Sequence, residues 1–130
     1  MSAENLSLID HLMRSLKDGG TEGIVEFLSK DVIYHNVPWP PVTGHHGVKK
    51  TLAPFIDGNE GGLESITIHH TAARGQTVIN ARDEVWIHRD VKVVLPVAGV
   101  FQIKAAKITH WTDYFDSRTL KPILDSINSI

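Results

Sequence analysis

From residue 63 onward the chain keeps a period of two. Residues 63–73, 76–89, 91–104 and 107–116 each read as a strand, with turn residues between them. Connections this short cannot carry a chain back to start a parallel neighbour, so successive strands must pair antiparallel. The first half reads differently. "SLIDHLMRSLKDGG" places Leu8, Ile9, Leu12, Met13 and Leu16 at helical spacing and stops at Gly19-Gly20. "TEGIVEFLSKD" reads as a second short helix with Thr21 as its N-cap, and "VIYHNV" as a short strand. The Pro-rich loop "PWPPVTGHHG" follows, then a third helix in "GVKKTLAPFI" that ends or breaks near Pro54. "SRTLKPILDSINSI" closes the chain as a helix.

Helices followed by a meander of long strands describe an α+β domain, with N-terminal helices packed on the concave face of a curved antiparallel β-sheet. The length of 130 residues fits one such domain, residues 1–130. A pocket between helices and sheet is the expected place for function.

Composition removes several classes of partner and chemistry. The 13 Lys and Arg are interspersed with 15 Asp and Glu and form no basic run, which argues against nucleic acid. No apolar stretch approaches the ~20 residues that span a bilayer. The N-terminus "MSAENLSLIDHLM" has acids where a signal peptide needs a basic head, so a cytoplasmic location is expected. With no cysteine there is no disulfide, thiol nucleophile or thiolate-bound metal.

The last strand carries an anomaly. In "ITHWTDYFDSR", Asp113 shares a face with Trp111 and Phe115, and carboxylates avoid such faces unless something compensates them. On "TVINARDEVWIH" the even positions put Arg82 and Glu84 beside Trp86, although both faces mix polar with apolar residues. In "VIYHNV", Tyr34 and Asn36 share a face with Val32. If these faces meet, a guanidinium bridges two carboxylates inside an apolar wall. The excess negative charge then favours one shared proton, which makes one acid a donor and the other an acceptor. That arrangement draws a proton off water while protonating a leaving oxygen. Each element also has a plainer reading. Arg-x-Glu on a strand suits an exposed charge ladder, Tyr-His-Asn before prolines suits a turn, and a single buried Asp suits a structural acceptor.

At these residues the chain resembles the limonene-1,2-epoxide hydrolase family, within the nuclear transport factor 2-like (SnoaL-like, cystatin-like) α+β cone. "YHNVPWPPVTGHHGVKKTLAPF" resembles the family's Tyr-x-Asn-x-Pro segment and the helix after it. "NARDEVW" resembles its Arg-x-Asp strand. "LPVAGVFQIKAAKITHWTDYFD" resembles its Gly-x-Phe strand followed by Gly-Lys-Ile-x-x-Trp-Arg-Asp-Tyr-Phe-Asp. The resemblance implies a hydrolase without metal or cofactor that adds water directly to an epoxide of a small, mostly apolar molecule. Asp113 would be the base, Glu84 the acid, Arg82 the bridge between them, and Tyr34 and Asn36 the holders of the water. Trp111, Trp86, Phe101 and Phe115 would form the substrate wall.

The chain departs from that pattern at Glu84, where the family has Asp, at Ala106, where it has Gly, and at Thr112, where it has Arg. The same fold houses ketosteroid isomerase- and polyketide cyclase-like enzymes and non-catalytic small-molecule-binding domains, which stand as alternatives. His69 and His70 are neighbours on a strand and face opposite ways, and His45-His46 sits in a loop, so no metal is expected. Val91, Val93, Leu95 and Val97 form an apolar stripe expected to bury against a second copy in a homodimer.

Overall fold

A computed structural model describes residues 2–129. Helix α1 (Ser2–Asp18) buries Ile9, Leu12, Met13 and Leu16, the stripe its periodicity marks, and ends at Gly19-Gly20, where Gly20 takes a positive φ. Helix α2 (Gly20–Val25) is shorter than its sequence suggests. Thr21 lies inside it rather than capping it. Its backbone N–H and its hydroxyl both donate to the Asp57 carboxylate, at 3.0 and 2.6 Å. The residues after it leave the helix because strand β1 (Leu28–Val37) pairs with a distant strand, and that pairing overrides local helical preference.

After the two-residue strand β2 (Val42–Thr43), helix α3 (Gly44–Ile56) carries Pro54 inside its last turn. Its start at Gly44 takes His45 and His46 out of the loop expected for them. His45 Nε2 lies 3.0 Å from the Leu28 carbonyl, which ties the helix start to β1. Strands β3 (Gly61–Arg74), β4 (Thr77–His88), β5 (Val91–Lys104) and β6 (Lys107–Tyr114) then run as an antiparallel meander, within about two residues of their sequence-derived limits. Helix α4 (Ser117–Asn128) is capped by Asp116, whose carboxylate accepts the Arg118 N–H at 2.9 Å.

The six strands form one curved sheet in the order β2-β1-β6-β5-β4-β3. The sheet is antiparallel except where β1 lies parallel to β6, a pairing that brings Tyr34 beside Trp111 and Asn36 beside Asp113. Helices α1, α3 and α4 cover the concave face, so the C-terminal helix joins the N-terminal ones there; Leu120 and Ile123 are its buried residues.

Burial decides the face of each strand. On β4 the even positions Val78, Asn80, Arg82, Glu84, Trp86 and His88 all point inward. On β5, Leu95, Val97, Phe101 and Ile103 are buried, with Val91 and Val93 half-buried. The apolar stripe expected at a dimer interface therefore faces the chain's own core. Either face of a strand with apolar residues at both parities can turn inward, and here the helices claim the odd positions. The outer face instead exposes Ile79, Val94 and Tyr114, each about half accessible.

Candidate active site

Three cross-strand pairings place the polar side chains. Asn36 on β1 pairs with Asp113 on β6, Asp113 with Gly99 on β5, and Gly99 with Asn80 on β4, so the four residues form one row across the sheet. Arg82 lies one pair further along β4 on the same face, opposite Val97. To meet Asp113, its guanidinium must cross β5, and the missing side chain of Gly99 leaves the passage. A Cβ there would lie 2.4 Å from Arg82 Nη1 and 2.9 Å from Asp113 Oδ1.

The guanidinium has three partners. Nε donates to Glu84 Oε2 at 2.8 Å and Nη1 to Asn80 Oδ1 at 2.8 Å. Nη2 lies 2.9 Å from Asp113 Oδ2, an ion pair whose angle leaves the N–H off the line of a good hydrogen bond. The Phe101 ring supports the group from 6.0 Å. Glu84 Oε1 accepts the Trp86 indole N–H at 2.9 Å.

All three charges are taken out of water: Arg82 is 1% exposed, and Glu84 and Asp113 are 5% each. Removing each from water costs several kcal/mol, so the set is a poor device for stability alone. Burial works against the Arg82 charge, but Asp113 and Glu84 outweigh it and hold the guanidinium firmly protonated. Burial pushes the Asp113 carboxyl above the ordinary carboxylate range, Arg82 pulls it back, and Glu84 adds to the rise. Asp113 Oδ1 makes no protein hydrogen bond of good geometry, although the Trp111 side chain helps Arg82 pull the carboxyl back. Burial and the charge of Asp113 push the Tyr34 phenol well above its usual value, so it keeps its proton and can donate it in a hydrogen bond.

These groups sit at the floor of a cavity of about 510 Å³, counting its open mouth. Tyr34, Asn36, Glu84 and Asp113 supply polar atoms, and Thr51 lies on the wall. The other lining side chains are apolar or aromatic, among them Trp39, Phe55, Trp86, Trp111 and Phe115. Trp111 packs on Tyr34 with ring centres 4.3 Å apart and the rings tilted by 33°, and Trp39 meets Phe115 edge-on at 5.5 Å.

Of the residues singled out from the sequence, Tyr34, Asn36, Arg82, Glu84 and Asp113 come together, and Trp86, Trp111 and Phe115 line the space above them. Phe101 does not line it. It is fully buried between the Arg82 guanidinium and Trp111, 6.1 Å from the latter's ring, where it shapes the floor rather than the wall. Two contributors went unmarked. Asn80 shares a face with Arg82 at i−2, and Gly99 is a glycine inside a strand, a recognised sign of close backbone or side-chain approach. Among the described residues no group of three or more His, Asp or Glu side chains could hold a metal ion. His69 instead meets Asp83 at 3.0 Å on the outer face.

Comparison with known proteins gives consistent results. The model of the limonene-1,2-epoxide hydrolase catalytic domain matches residues 3–124. Epoxide hydrolase EphG of Mycobacterium tuberculosis (strain ATCC 25618 / H37Rv) is 28% identical over 108 residues, which cover 83% of this chain and 70% of that protein. The solved structure of an M. tuberculosis LEH-like epoxide hydrolase superposes with a TM-score of 0.79 at 25% identity, covering 96% of this chain and 92% of that one. The fold alone is shared with an NTF-2 like protein of unknown function from Burkholderia xenovorans LB400, with a TM-score of 0.71 at 11% identity over 88% of this chain and 84% of that one. A family model that spans nearly the whole chain, on a fold its relatives share, makes this protein a member of the limonene-1,2-epoxide hydrolase family.

Proposed function

We propose that the chain hydrates an epoxide on a small, mostly apolar molecule in one step. The observation that carries this reading is the buried guanidinium holding two carboxylates at 2.8 and 2.9 Å on the floor of an apolar cavity. Asp113, as carboxylate, takes a proton from water held by the Tyr34 hydroxyl and the Asn36 amide. The water oxygen forms its bond to an epoxide carbon as the C–O bond on the far side breaks. Glu84, as carboxylic acid, gives its proton to the departing oxygen, and the product is a diol.

One proton leaves Glu84 and one arrives on Asp113, so Arg82 and its two carboxylates carry zero net charge before and after the reaction. A low-dielectric site favours such a path because no charge is built up in it. Return of the proton from Asp113 to Glu84 resets the site. Once ionised, a raised Asp113 is the stronger base towards water, and the same rise means that it ionises only as pH climbs above the ordinary carboxylate range.

Glu84 tests this reading because it is a methylene longer than the family's Asp. Glu84→Gln is expected to lower diol formation on a panel of cyclic and aliphatic epoxides by about 10²–10⁴-fold, the usual worth of a positioned acid. Glu84→Asp, which still carries a proton to donate, should keep measurable activity, more than Glu84→Gln, or shift preference within the panel. An Asp variant that hydrates epoxides the natural protein leaves untouched would show that the natural pocket serves another reaction.

The proposal includes a homodimer through the outer sheet face, where Ile79, Val94 and Tyr114 expose apolar surface. Sedimentation at micromolar concentration should give twice the chain mass of 14.4 kDa. A monomer there would remove the dimer, leaving the site unchanged because all of its residues come from one chain.

A further inference from the structure

Trp86 does more than line the cavity. It lies two residues beyond Glu84 on β4, hence on the same inward face, and Arg82 lies two residues before it. The three side chains form a row of donor, acceptor and donor. Arg82 Nε donates to Glu84 Oε2 at 2.8 Å, and the Trp86 indole N–H donates to Oε1 at 2.9 Å. Trp86 is held in turn: it is 6% exposed, and the Phe55 ring of α3 meets it edge-on at 5.8 Å. A longer carboxylic side chain has one more torsion to fix, and an N–H on each oxygen fixes the plane of the carboxyl.

Resting on the epoxide-hydration reading, we propose that Trp86 is the positioning residue for Glu84. Its indole N–H sets the direction in which the carboxyl meets the substrate oxygen, and it stabilises the carboxylate that remains once the proton has gone. A donor to an oxygen that gains negative charge during the reaction binds more strongly in the transition state than in the ground state, which raises kcat rather than lowering KM. The added methylene of Glu84 and the indole of Trp86 then form one device. The longer acid reaches the indole, and an Asp at position 84 would fall short of it by about one C–C bond length.

The charged and titratable groups facing Glu84 are Arg82 on the same strand, Asp113 on β6 and Tyr34 on β1. The side chains lining the cavity from α1, α3, α4 and β5 are uncharged. Trp86→Phe keeps an aromatic ring and removes the N–H together with part of the indole's bulk, the second loss being common to both backgrounds compared below. In full-length protein labelled with ¹³C at the glutamate side-chain carboxyl, the NMR titration midpoint of Glu84 should rise in Trp86→Phe. With an epoxide that the natural protein hydrates, kcat should fall about tenfold or more while KM changes less than about threefold. In the Glu84→Asp background the same substitution should leave kcat within about twofold of Glu84→Asp alone. An unchanged Glu84 midpoint in Trp86→Phe, or an equal loss of kcat in both backgrounds, would overturn the role and leave Trp86 as wall only. Because the titration needs no substrate, it decides the role of Trp86 even if the natural protein hydrates no epoxide, a result that would instead remove the hydrolase reading.

Discussion

Asp113→Asn is expected to abolish hydration while leaving the fold intact. The amide is nearly the size and shape of the carboxyl, so Arg82, Gly99 and Trp111 around it need not move, but it has no lone-pair charge with which to accept a proton from water. The loss should be at least the 10²–10⁴-fold that a positioned base contributes. The variant should also be no less stable than the natural protein at neutral pH. Burial raises the Asp113 pKa, so the folded state binds that proton more tightly than the unfolded chain does. The cost of ionising it is absent below the unfolded value of about 3.9 and grows as pH rises towards the folded value. Asparagine carries no such cost, and its thermal midpoint relative to the natural protein should therefore improve from acid to neutral pH. By the same sign, the hydration rate of the natural protein should rise with pH as Asp113 ionises. Activity in Asp113→Asn above a few per cent of the natural protein's would show that the base lies elsewhere.

Gly99→Ala is the other large effect, and it replaces no polar or titratable side chain. The added methyl would sit 2.4 Å from Arg82 Nη1, 2.9 Å from Asp113 Oδ1 and 3.0 Å from Phe101 Cε2. Exposed, the end of an arginine could swing aside. Here Nη1 is tied to Asn80, Nε to Glu84, and the group is 1% exposed, so the whole bridge must shift. A displacement of about an ångström between base and acid costs on the order of 10²-fold in rate. Crowding a packed interior by one methyl typically costs about 1–3 kcal/mol. Steady-state rates and thermal unfolding should register both losses. Full activity with an unchanged midpoint would mean that Arg82 reaches Asp113 by a path that does not cross Gly99.

These two positions also show what the sequence could and could not reveal. Asp113 was conspicuous because it shares a strand face with Trp111 and Phe115, where a carboxylate needs a reason to be. Arg82 and Glu84 were visible as a pair, but β4 mixes polar and apolar residues on both faces, and only the helices above the sheet decide which face is inside. The same ambiguity misplaced the stripe from Val91 to Val97, whose inner members Leu95 and Val97 belong to the chain's own core. Thr21 has the chemistry of a helix cap, yet its hydroxyl bonds to Asp57, 36 residues away, a tertiary partner no local pattern announces. Gly99 and Asn80 matter through register. They stand in one row with Asp113 only because β4, β5 and β6 pair as they do. Local periodicity therefore located the strands, while the contents of the site depended on alignments between strands.

In the proposed reaction water attacks the epoxide directly, with Asp113 as its base and no bond formed between carboxylate and substrate. Single-turnover hydration in H₂¹⁸O, with enzyme in excess over an epoxide the protein accepts, tests this most directly. The diol released in the first turnover should carry one ¹⁸O atom, and mass spectrometry of peptides containing Asp113 and Glu84 should find no label in either carboxyl. Unlabelled diol from the first turnover, with ¹⁸O appearing in one of those carboxyls, would mean that an ester forms and is then hydrolysed, and would contradict the account.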